Sequence, residues 1–180
     1  YNCCERLRVL GVHTDGGMRE RLAVPARKLH RSATLDVDQL ALVETLGIGA
    51  HAVARAAVED GETVLVVGAG PIGLATAQFA LLARARVWVL ERDEGRRAAA
   101  LRLLGSAGPA AAGLAGVLGP LDPSAPASAM LPALCGGSAP TCVFDATGSR
   151  AAMEAAFAYP ACSGRLVFVG FQPEPVTFGN

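Results

Sequence analysis

Residues 68–73 read Gly-Ala-Gly-Pro-Ile-Gly, a run whose spacing suits a chain that turns sharply beside an anion and then enters a helix. The first glycine, Gly68, permits the tight turn. The second, Gly70, lets the backbone approach a pyrophosphate with no Cβ in the way, and the third, Gly73, lets strand and helix pack closely. Pro71 and Ile72 complete the motif where the helix begins, and free N–H groups and the positive dipole end there attract phosphate. A GxGxxG run alone is weak evidence, but this one follows a β-branched strand segment at 63–67. A second apolar run, 86–90, ends at Glu91, which lies 18 residues beyond Gly73 (91 minus 73). That is close to the spacing of ~20 at which an acid reaches the adenosine ribose. A carboxylate there accepts the ribose hydroxyls and repels a 2′-phosphate, so the residues favour NAD over NADP. Arg92 is the competing feature, since its guanidinium would pair with such a phosphate.

The elements that must position these residues follow an alternating pattern. Strands are expected at 63–67, 86–90, 141–145 and 165–169, with helices at 71–83, 95–104 and 150–158. Strands alternating with helices imply an α/β fold with a Rossmann-like, doubly wound parallel sheet. In such sheets ligands bind beyond the carboxyl ends of the strands. Thr147, Gly170 and Phe171 follow two of those strands and are therefore further candidate cofactor contacts. Asp145 suits either such a contact or the N-cap of the helix after it. Residues 105–140 are rich in Ala, Gly, Pro, Leu and Ser, with 114–118 and 129–134 the only strand and helix candidates. The weak periodicity favours a poorly formed crossover.

Ahead of this region, residues 1–34 suggest short strands around 9–12 and 22–25. Helices are expected at 36–46 and 50–57, separated by Gly47-Ile48-Gly49. A domain boundary is placed there, giving 1–46 and 47–180.

Composition narrows the function classes. The chain has 180 residues and equal numbers of basic and acidic groups, 16 of each. A formal charge of zero gives no electrostatic case for nucleic acid or an anionic membrane. Residues 64–83 are uncharged and about long enough to span a bilayer. Their cluster of glycines and a proline instead points to a strand, a turn and a buried helix. The five cysteines are odd in number and irregularly spaced, so a reducing cytoplasm is expected rather than a disulfide framework. The first residue is Tyr, which reads as a fragment or processed product.

Taken together, the chain resembles the zinc-type medium-chain alcohol and polyol dehydrogenases, most of all those acting on sorbitol, threonine and galactonate or gulonate. The segments that carry the likeness are Asn2-Cys3-Cys4, Val9-Leu10-Gly11-Val12-His13 with Asp15-Gly16-Gly17, residues 41–46 (Ala-Leu-Val-Glu-Thr-Leu), and the glycine motif with its acid. The resemblance implies a β-rich remnant of a GroES-like catalytic domain at the N-terminus, and a Rossmann domain incomplete at its C-terminal end. It implies oxidation of a secondary alcohol of a polyol or sugar acid by hydride transfer to NAD, with zinc in a full-length parent. The alternative is a nucleotide-binding but inactive fragment or degraded paralogue. Glu44 would be a catalytic zinc ligand, although Thr45 stands where the family has proline. Cys4 would be a remnant of a structural zinc site, and Ile48 would lie near the nicotinamide. A small alcohol or polyol substrate and a homodimer or homotetramer are the expected partners. His13, His30 and His51 are read as hydrogen-bonded structural residues, with a relay or polar cofactor contact the alternative for His51.

Overall fold

The computed structural model describes residues 4–177. The chain divides into two compact units, residues 1–37 and residues 38–180.

In the first unit the described residues form a 3-10 turn at Ala26–Lys28 and an isolated bridge between Leu10 and Thr14. The strands expected at 9–12 and 22–25 do not form. Leu10, Val12 and Leu22 are all exposed. An apolar alternating run becomes a strand only where a neighbouring strand and a core receive it.

Helix α1 (Val37–Ala56), which belongs to the second unit from Asp38 onward, corrects the expectation of two helices broken at 47–49. Glycine weakens a helix, but here it serves packing. A Cβ on Gly49 would lie 2.6 Å from the carbonyl carbon of Ala75 on the next helix. The helix pair can approach this closely only without it.

Strand β1 (Thr63–Val67), helix α2 (Pro71–Leu82), strand β2 (Arg86–Leu90) and helix α3 (Glu94–Gly105) follow the sequence pattern closely. The crossover at 105–140 is ordered, contrary to expectation. It holds a 3-10 turn (Gly108–Gly113), strand β3 (Leu114–Leu118) and helix α4 (Ala127–Leu134). Strand β4 (Cys142–Asp145), helix α5 (Arg150–Ala156) and strand β5 (Arg165–Phe168) complete it.

The five strands are parallel in the order β3-β2-β1-β4-β5. Strand β1 is buried on both faces, as an interior parallel strand must be. Val64 and Val66 join a core with α1, α2 and α3, whereas Leu65 and Val67 join one with Leu131 and Cys135 at α4. Residues 64–83 thus form a strand, a turn and a buried helix. Among the described residues no helix is long and apolar enough to cross a membrane.

Candidate functional site

The strand order changes direction at β1, with β2 on one side and β4 on the other. A crevice at the carboxyl ends of the strands is the expected result. A cleft of about 770 Å3 lies there, lined by the glycine turn, the end of β2 and the loop after β4.

Gly68 ends β1 in the left-handed region, at φ +97°, a conformation that favours glycine. Gly70 is the N-cap of α2 and Pro71 its first residue. A Cβ added to Gly70 would meet nothing within 4 Å, so the backbone there faces open cleft. Gly73 lies beneath, where a Cβ would overlap the Gly68 carbonyl oxygen. The first helical turn therefore rests directly on the turn that precedes it, with its N-terminal N–H groups toward the cleft.

Glu91 is buried, at 6% exposure, at the end of β2. Its Oε2 accepts a hydrogen bond from the Ala69 N–H at 2.8 Å and its Oε1 one from the Asp93 N–H at 3.0 Å. Burial pushes this carboxyl upward, but the N–H groups of Asp93 and Ala69, with the Arg96 charge, outweigh it. The net pKa lies below the ordinary glutamate value, so Glu91 is an anion. It braces the glycine turn while keeping lone pairs toward the cleft. Arg97 donates to the carbonyl oxygens of Glu91 and Arg92 at 3.0 and 2.7 Å, which fixes the strand end.

Seven of the sequence-derived candidates share this cleft: Gly68, Gly70, Pro71, Ile72, Glu91, Arg92 and Thr147. Gly170 and Phe171 do not line it. Gly170 is packed against the backbone of Gly148, and the Phe171 side chain is 84% exposed. Ile48 lines a separate recess of about 660 Å3 with Glu44, His51, Arg55 and β5. Asp145 does not cap α5, whose N-cap is Ser149. Arg96, Leu121, Met130 and Tyr159 also line the cleft and escaped the sequence reading. Arg96 had a usable signal, lying in the first turn of the helix that follows the acid. Leu121 lies on the approach to α4 and Met130 within it, where periodicity is weak, and Tyr159 follows α5 with no local signal of its own.

Zinc fits poorly. A catalytic zinc takes three protein ligands and a structural one takes four. Among the described residues no group of three His, Cys, Asp or Glu side chains is placed to hold a metal. Glu44 and His51 share the smaller recess without a third ligand. Cys4 is an exposed free thiol in the first unit, and Cys3 lies outside the described residues.

Sheet order, glycine turn and strand-end cleft define a Rossmann-like α/β domain. A profile described as zinc-binding dehydrogenase matches residues 71–180. L-galactonate-5-dehydrogenase of Escherichia coli K12 is 43% identical over 99% of this chain and 49% of its own length. A structure described as a short chain alcohol dehydrogenase from Escherichia coli CFT073, complexed with NADH, has TM-score 0.80 and 27% identity. It covers 98% of this chain and 50% of that one. A putative zinc-binding dehydrogenase from Sinorhizobium meliloti 1021, bound to NADP, has TM-score 0.76 and 28% identity over 99% of this chain and 50% of its own. The chain belongs to the zinc-binding dehydrogenase family, and it spans about half the length of that curated relative.

Proposed function

We propose that this chain is the cofactor-binding half of an NAD-dependent dehydrogenase that oxidises a secondary alcohol of a polyol or sugar acid. The carrying observation is the cleft at the carboxyl ends of β1, β2 and β4, where the glycine turn and the Glu91 carboxylate meet. The backbone at Gly70 and the N-terminus of α2 hold the pyrophosphate. Glu91 accepts from the adenosine ribose, and its negative charge favours NAD over NADP. Thr147 faces the middle of the dinucleotide from the opposite wall. The bound nicotinamide supplies hydride acceptance. The substrate class follows from the galactonate dehydrogenase relative. The inactive-fragment alternative is not favoured, since the curated relatives include several named polyol and sugar-acid dehydrogenases. A cytoplasmic location and self-association along the outer edge of β5 belong to the same proposal, the latter checked by light scattering.

The test is titration of the purified chain with NADH and NADPH, followed by protein fluorescence or calorimetry. NADH binds more tightly than NADPH, and Glu91→Ala weakens NADH by about tenfold through loss of charge-assisted hydrogen bonds. Preference for NADPH in the parent chain would overturn the role given to Glu91. No binding of either nucleotide would overturn the function.

A further inference from the structure

The loop after β4 is organised by a carboxyl group that never reaches the cleft. Asp145 is the last residue of β4, in register with Val67 of β1 and Phe168 of β5, and it is wholly buried. Its Oδ1 accepts two hydrogen bonds from one residue, from the Thr147 N–H at 3.0 Å and the Thr147 hydroxyl at 2.8 Å. The same hydroxyl oxygen accepts from the Ser149 N–H at 3.1 Å. Both Thr147 and Ser149 line the cleft. The Thr147 methyl lies opposite the first glycine of the turn, where a Cβ on Gly68 would approach it to 3.1 Å.

We infer that Asp145 is a positioning residue for dinucleotide binding: it acts through the Thr147 hydroxyl to set the wall of the cleft facing the glycine turn. This rests on the dinucleotide reading above. A buried polar group is costly unless its bonds are made. Oδ2 is buried and has no partner among the described residues. A stability function alone would be met more cheaply by an apolar residue at this interior strand end. Aspartate is explained if the loop needs an acceptor aimed at both polar groups of Thr147. Burial raises the carboxyl pKa, and the Thr147 hydrogen bonds only partly reverse this. Asparagine keeps an oxygen acceptor where Oδ1 receives both Thr147 bonds, so it should serve nearly as well.

A double-mutant cycle in NADH affinity tests the coupling, with thermal melts run in parallel. Asp145→Ala and Thr147→Val each weaken NADH about tenfold, and the double variant is no worse than either single one. Thr147→Ser, which keeps the hydroxyl, and Asp145→Asn, which keeps the acceptor, stay within about threefold of the parent chain. Additive losses, or an unchanged Kd in Thr147→Val, would refute the inference while leaving the dinucleotide site intact. If Asp145→Ala does not fold, Asp145→Asn and Thr147→Val decide it: loss in the first with none in the second refutes the coupling. Failure of the parent chain itself to bind NADH overturns both this inference and the function it rests on.

Discussion

Glu62 and Glu91 stand near opposite ends of the parallel sheet, and the fold keeps both as anions. Glu62 precedes β1 and receives Arg165 on both oxygens at 2.5 and 2.6 Å, the Thr141 hydroxyl at 2.8 Å and the Glu59 N–H at 3.1 Å. It thereby ties together the starts of β1, β4 and β5. Burial raises its pKa, but the Glu59 N–H, Thr141 and Arg165 together lower it below the ordinary value. The sign follows from linkage. A carboxylate with a depressed native pKa stabilises the fold above the unfolded glutamate range, near ~4.3, and that stability is lost as pH falls toward the native value. Glu62→Gln should therefore lower the free energy of unfolding at neutral pH by about 1–2 kcal/mol, a modest figure because the Arg165 side chain is 42% exposed and solvent screens the pair. It should also flatten the acid side of the stability curve. Urea denaturation at a series of pH values checks this, and acid slopes that match the parent chain would contradict it.

At the scale of elements, α1 contains a direct contrast between two glycines. Gly47 has open space where a Cβ would go, while Gly49 faces the backbone of Ala75 and Thr76 at 2.6 and 2.7 Å. Gly47→Ala should stabilise the chain by up to about 1 kcal/mol through helix propensity. Gly49→Ala should destabilise it by about 1–3 kcal/mol, because overpacking against backbone outweighs the same propensity gain. Equilibrium denaturation distinguishes the two, and stabilisation by both would show that α1 and α2 yield easily. The same glycines show where sequence legibility ends. Strands β1, β2 and β4 are readable because their apolar runs have clear strand ends and lie in the sheet interior. The glycine motif with Glu91 is readable because its spacing is local. The packing need that keeps α1 continuous through Gly49 is tertiary and leaves no local signal. Strand β3, Leu-Ala-Gly-Val-Leu, and α4, with Pro132 inside it, form where the candidates at 114–118 and 129–134 lay, but their weak propensity argued for a poorly formed crossover instead. The cleft residues Leu121 and Met130 belong to that stretch, and Tyr159 follows α5, where nothing local marks it for the cleft.

At the scale of the whole molecule, burial is distributed very unevenly along the chain. Strands β1, β2 and β4 hold side chains with essentially no exposure, whereas no described residue before position 37 is buried. Local stability tracks such differences, since amides in a buried interior sheet open only with most of the fold. In the first unit the apolar residues that suggested strands lie in water, Val12 at 74% exposure, and the backbone bonds are local ones such as His13 N–H to the Val9 carbonyl at 2.9 Å. A hydrophobic run with no partner strand supplies neither ladder hydrogen bonds nor burial, so it has little to set against chain entropy. Native-state hydrogen exchange should therefore show the amides of β1, β2 and β4 as the slowest in the chain, near the limit set by global unfolding. Edge strand β5, half-exposed along its length, should exchange faster. Most amides of residues 4–37 should exchange within seconds to minutes, apart from hydrogen-bonded ones such as Gly11 and His13. Strong protection across 9–12 and 22–25 would mean that strands do form there, as the sequence pattern alone suggests, and would overturn the assignment of that unit.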